Sequence, residues 1–149
     1  MLKQRHKIIP AIYLVLIRED SILMLRRFNT GYEDGNYSLV AWHLDWNETF
    51  RQAMAREAME ESSLEFNPQN IRIIHTMHRR LIDGEDTREY IDFFMSVDNF
   101  IWEPVNKEPH KCDELRWFPV DNIPKNTIPY IRYALESIFK GESYSEFGF

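Results

Sequence analysis

Three glutamates, Glu57, Glu60 and Glu61, stand at i, i+3 and i+4 in a stretch, 51–63, that holds no glycine or proline. On a helix of about 3.6 residues per turn this spacing puts the three carboxylates on one face. Like charges at that range repel, and nothing in helix propensity favours crowding them. A hard divalent cation removes the repulsion. Carboxylate oxygens, with water and a phosphate completing the shell, suit Mg2+ or Mn2+. For Glu60 and Glu61 taken alone, the alternative is a solvated helix face.

The wider spacing weakens that alternative. Residues 42–64 resemble the Nudix box, G-x5-E-x7-R-E-U-x-E-E-x-G-U with U aliphatic. Glu48, Arg56, Glu57, Glu60, Glu61 and Leu64 fall on motif positions, and Ala58 is a weak aliphatic match. Five charged matches of this kind arise by chance roughly once in a million placements. The resemblance implies that Glu57, Glu60 and Glu61 bind the metal, which neutralises phosphate charge and activates water. It also implies that Arg56 pairs with Glu48, fixing the loop before the helix and orienting Glu57. An ordinary surface ion pair, which contributes little, is the other reading of that pair.

A second stretch, 106–119, resembles the loop that leads into a late strand in many small Nudix hydrolases. There it can supply a further carboxylate to the metal or a catalytic base. Glu108 is the choice for that role, with Asp113 and Glu114 as rivals and an exposed acidic loop as the alternative. Arg26 and Arg27 end an expected strand from which relatives reach substrate phosphate by bidentate contact. Alternation sends the two to opposite faces, so at most one enters the site. Solvated strand-end arginines are the alternative.

Both motif glycines are replaced, one by Trp42 and the other by Ser63, and Trp46 and Asn47 occupy the turn before the helix. Glycine serves where backbone needs positive φ or close approach to a ligand. Ser63 at a left-handed helix end should cost about 1 kcal/mol. Trp42 is expected to crowd a phosphate-binding turn and slow turnover, or else to bind substrate by stacking on a base. Trp42 and Trp46 together could instead anchor a partner.

The elements that must carry these residues follow from periodicity. Strands are expected at 8–17, 21–27, 37–44, 71–78, 89–97 and 114–120, with a loop at 28–36. Helices are expected at 49–62, capped by Thr49, and around Ile131, Ala134, Leu135, Ile138 and Phe139, with Gly141 as a C-terminal cap. His75 and His78, three apart on a strand, face opposite sides and are read as structural. Phe93, Phe94, Trp117 and Phe118 are read as core. The expectation is a single domain, 1–149, of the α+β class. The resemblance implies the Nudix fold, an α/β/α sandwich with a mixed β-sheet between helices.

Composition narrows the partner. A net charge of −6 over 149 residues argues against a long nucleic acid but not against a small nucleotide-like phosphorylated substrate bridged by metal. One cysteine, Cys112, excludes an internal disulfide and a thiolate zinc cluster. No apolar run is long enough for a bilayer, and the basic first six residues lack signal-peptide features, so a cytoplasmic protein without membrane contact is expected. A homodimer is left open. The expected reaction is metal-assisted hydrolysis of a pyrophosphate linkage in a nucleoside triphosphate or nucleoside diphosphate derivative. The alternatives are a Nudix-fold binding module without turnover and an altered scaffold with a tryptophan surface.

Overall fold

The computed structural model describes residues 3–98, 100 and 103–149, so Met1 and Leu2 of the basic N-terminus lie outside the described residues. Its strands are β1 (Ile9–Leu14), β2 (Ile17–Arg18), β3 (Ser21–Arg27), β4 (Tyr37–Ser38), β5 (Val40–His43), β6 (Ile71–Asp83), β7 (Asp86–Val97), β8 (Cys112–Pro119) and β9 (Tyr144–Phe147). The helices are α1 (Phe50–Ser62) and α2 (Pro129–Phe139). One sheet runs β5-β1-β7-β6-β9 and is mixed, because β1 pairs with β7, and β6 with β9, in parallel. A smaller sheet gathers β2, β3, β4 and β8 around β3.

Alternation along β1 divides the core. Ala11, Tyr13 and Val15 turn to one side and pack with Tyr130, Ile131, Ala134 and Leu135 of α2. Ile12, Leu14 and Leu16 turn to the other and pack with Ala53, Met54 and Ala58 of α1. Each helix thus covers one face of the same sheet, which is the expected sandwich.

Local chemistry explains the helix ends. Thr49 caps α1: its hydroxyl accepts from the Gln52 N–H at 3.2 Å, and the Gln52 side chain accepts from the Thr49 N–H at 2.9 Å. At the far end Ser63 is left-handed, with φ 57°, and the N–H groups of Ser63 and Leu64 return to Met59 and Ala58. α2 starts on Pro129, whose missing N–H costs nothing in the first turn, and Gly141 follows its end at φ 77°.

Three expectations shift. The strand read at 37–44 is two strands in different sheets, since β4 pairs with β3 while β5 pairs with β1. The strand read at 8–17 likewise breaks after Leu14, and β2 joins β3 instead. β9, with sequence YSEF, was not expected; its short, polar pattern gives little periodic signal, and it is held by parallel pairing to β6. No helix among the described residues is long and apolar enough to cross a membrane.

Candidate active site

The turn into α1 is tied off by Glu48. Its carboxylate accepts the Asp45 N–H at 2.8 Å and two donors of Arg56, Nε at 3.0 Å and Nη2 at 2.8 Å. Asn47 provides the left-handed residue of this turn, at φ 68°, a conformation that Asn tolerates. The same guanidinium gives Nη1 to Glu57 at 2.6 Å and to Glu60 at 3.3 Å, and Nη2 lies 3.2 Å from Asp45. Arg56 therefore meets four carboxylates. Its proton is held more tightly than usual, above all by Glu48, whose own pKa falls in return. Glu57 is pulled both ways: burial raises its pKa, Arg56 opposes this, and burial prevails.

Glu61 faces inward from the last turn of the helix. A loop docks there, donating the N–H of Lys107 to the Glu61 carbonyl at 3.0 Å and that of Val105 to the Ser62 carbonyl at 2.9 Å. These bonds satisfy carbonyls that a helix end leaves open. Asn106 stiffens the loop by accepting from the Glu108 N–H at 3.0 Å and donating to the Cys112 carbonyl at 2.6 Å. Glu108 is thereby brought beside Glu61, and both line a small recess of ≈ 30 Å³ with Cys112 and Leu115. Burial first, then repulsion from Glu108 and Glu57, pushes Glu61 up to about 8, while the Trp42 N–H pulls it down.

As they stand, the acidic side chains are divided. Glu57 and Glu60 lean to Arg56 while Glu61 turns to Glu108, and among the described residues no three acidic, histidine or cysteine side chains are gathered as an ion would need. The physical reason is that Arg56 supplies a cation on one side of the row only. The donor set nonetheless fits a hard divalent ion. It is all carboxylate oxygen, and burial, reinforced by repulsion from Glu108, lets Glu61 retain a proton that such an ion would replace.

Trp42 is not in a turn. It lies in β5 opposite Ile12, is 7% exposed and packs with Ala53, Met54 and Ala58 beneath α1. Its φ is not among the positive ones, so this position does not require glycine conformationally. The expectation that its indole crowds a phosphate-binding turn is therefore corrected: strand pairing carries it into the core. Its Nε1 is buried and, among the described residues, meets no acceptor at hydrogen-bond geometry, although its N–H is oriented so as to lower the Glu61 pKa. Trp46, by contrast, is 98% exposed, so the two tryptophans do not form one anchoring surface.

On the other face of β5 lies a cavity of ≈ 720 Å³. Tyr13, Tyr32, Tyr90, Tyr130, Arg79 and Arg27 are among its walls, and Trp42 lines it as well. Arg27 bonds to the Tyr32 carbonyl at 2.7 Å and to the Thr30 hydroxyl at 2.9 Å, which shapes the 28–36 loop over the opening. Arg26 points elsewhere and forms a bidentate pair with Asp113 at 2.8 and 3.1 Å. His75 bonds to the Glu142 carbonyl and the Ser145 hydroxyl, and His78 to Glu89.

A family model, the NUDIX domain, matches residues 7–137. The chain belongs to the Nudix hydrolase family. This Nudix chain is 37% identical over 118 residues to the NAD-capped RNA hydrolase NudC of Salmonella typhi, covering 79% of itself and 42% of that protein. It is 29% identical over 123 residues to the NudC of Shigella dysenteriae serotype 1 (strain Sd197), covering 83% and 44%. It thus spans less than half the length of these curated relatives. Its fold matches the MutT NUDIX hydrolase of Burkholderia pseudomallei with a TM-score of 0.75 at 24% identity, covering 88% of this chain and 98% of that one. The E. coli ORF135 protein gives a TM-score of 0.71 at 18% identity, with 90% of each chain covered.

Two groups in this Nudix chain escaped the sequence reading. Asp45 joins the Arg56 network from a turn position with no motif signal. The tyrosines and Arg79 of the cavity come from four separate elements and the 28–36 loop. Only the alternation of His75, Met77 and Arg79 hinted that Arg79 faces inward, and a buried arginine has no meaning until its partner is known.

Proposed function

We propose that this Nudix chain hydrolyses a pyrophosphate linkage in a nucleotide-derived substrate, with the phosphates over α1 and the remaining moiety in the cavity beside β5. Glu57, Glu60, Glu61 and Glu108 would hold Mg2+ or Mn2+. When bound, the metal supplies charge neutralisation and a water of lowered pKa. Arg56 and Glu48 hold Glu57 in place, and Asp45 shares in that network. Arg27, at the cavity wall, is placed to meet phosphate, whereas Arg26 is already engaged by Asp113. Trp42 stands between the two regions as a wall of the cavity.

The observation that carries this reading is the Glu61–Glu108 pair, two carboxylates pressed together in a half-buried recess at the end of the motif helix. Such a pair is costly unless a proton or cation sits with it. The relatives' name makes NAD and NAD-capped RNA natural members of a substrate panel, beside nucleoside triphosphates and nucleoside diphosphate sugars. The panel is run with Mg2+ or Mn2+, and phosphate, pyrophosphate or nucleoside monophosphate release is measured. Turnover of at least one member is expected, with Glu61→Gln removing most of it while the melting temperature holds. Metal-dependent binding of a panel member without any turnover would favour the binding-module reading. Unchanged turnover in Glu61→Gln would overturn the assignment of the site.

A further inference from the structure

The floor of the large cavity holds an arrangement that neither the Nudix motif nor the core requires. Arg79 of β6 is 5% exposed at its side chain, and its partner Asp92 of β7 is fully buried. Asp92 takes Nε at 2.6 Å and Nη2 at 3.1 Å in a bidentate pair. Tyr90 and Tyr130 lie against the guanidinium, with ring centres 4.1 and 4.0 Å from its central carbon. Burial lowers the arginine's pKa, but the Asp92 bond and its neighbours more than offset this, while burial raises the Asp92 carboxyl against the opposing pull of Arg79. The group cannot swing out, because one edge is bonded and two rings confine it.

An arginine has five N–H donors, and this pairing engages only Nε and Nη2. Among the described residues no protein acceptor takes Nη1, while Arg79 lines the cavity. Opposite Asp92 on β1 stands Ala11, whose small side chain leaves space in the cavity wall. The Tyr13 and Tyr130 hydroxyls, 3.1 Å apart, form the neighbouring wall. Because Asp92 cancels the arginine's charge, the free edge favours a neutral acceptor over a bare anion. Tyrosine walls favour a flat ring.

We propose that Arg79 is a specificity-determining residue that selects a keto-bearing ring, as in hypoxanthine, guanine or uracil, over the amino-bearing counterpart. Asp92 is its positioning residue. An exocyclic amino group placed against Nη1 would set donor against donor and leave both unpaired where the bound ring displaces water. The inference rests on the reading that the cavity takes the substrate's non-phosphate moiety.

The test needs neither metal nor turnover. Inosine and adenosine 5′-monophosphates, and uridine and cytidine 5′-monophosphates, are titrated into the full chain in chelator by calorimetry. The keto member of each pair is expected to bind at least about tenfold more tightly, the factor that one unsatisfied buried donor imposes. Arg79→Lys, which keeps the charge for Asp92 but loses the planar fork, should bring each ratio close to one. If that variant does not fold, the two ratios in the unaltered chain decide the matter. Binding without keto preference, or a preference unchanged in Arg79→Lys, overturns the inference and leaves the cavity reading standing. Binding of none of the four overturns both.

Discussion

Arg56 and Arg79 both meet carboxylates, but Arg56 faces four of them at the half-open entry to α1, whereas Arg79 faces one inside the fold. The first arrangement leaves an excess of negative charge that a small, hard cation can satisfy. The second is neutral overall and keeps one donor edge for an uncharged acceptor. The same side chain is thus set to two tasks by how many acids surround it and how dry it is. Around Arg56, Asp45 and Glu60 remain exposed to solvent; around Arg79, two tyrosine rings leave only the edge that faces the cavity.

Removing one acid from each region separates the two most sharply. Asp92→Ala should destabilise the chain by about 3–5 kcal/mol, because it strands a buried guanidinium. Glu48→Ala, at a more open site where three other carboxylates remain, should cost much less. Urea unfolding of both variants reads the difference, and equal losses would mean that the two networks are alike. A second measurement concerns the wall that the regions share. Trp42→Gly removes a buried indole from beneath α1 and should cost about 3–5 kcal/mol by leaving a cavity. A variant as stable as the parent would show that the residue is not core.

A smaller effect is expected with pH; burial raises Asp92 in the same sense, but the larger shift is at Glu61. Its folded value of about 8 lies above its ordinary 4.5, so the folded chain keeps a proton that the unfolded chain releases. That stabilisation is complete below about pH 4.5 and is lost as pH rises through 8. Glu57 is raised and acts in the same sense, while Glu48 is lowered and acts only at the acid end. In chelator, the denaturation midpoint should therefore fall between pH 5 and 8, and Glu61→Gln should flatten the slope. A midpoint that rises over this range would contradict the burial of the Glu61–Glu108 pair. The smallest effect is at the helix end. Ser63→Gly relieves a left-handed residue at φ 57° and should add about 1 kcal/mol, read as a higher melting temperature.

The glutamate helix was legible from the sequence because its signals are local. Thr49 caps its start, the run 51–63 has no breaker, and the glutamates fall within one helical turn. Ser63 could be read as a strained cap for the same reason, since backbone handedness depends on a residue and its neighbours. The two helices and the strands β6 and β7 were likewise marked by periodicity. The family followed from spacing within 23 residues, and the flanking element order agreed with it.

What local pattern could not decide was where strands change sheets and what lies across from each side chain. Trp42 reads as a bulky intruder in a motif, and only pairing of β5 with β1 turns it into core. Glu61 and Glu108 are separated by 47 positions, and their meeting depends on a loop docking its N–H groups on the end of α1. Arg79, Asp92, Tyr90 and Tyr130 sit on β6, β7 and α2, each unremarkable in its own segment. A charge becomes a metal site or a recognition edge only once burial and opposing groups are set. Those are sums over distant elements, and the tertiary structure alone supplies them.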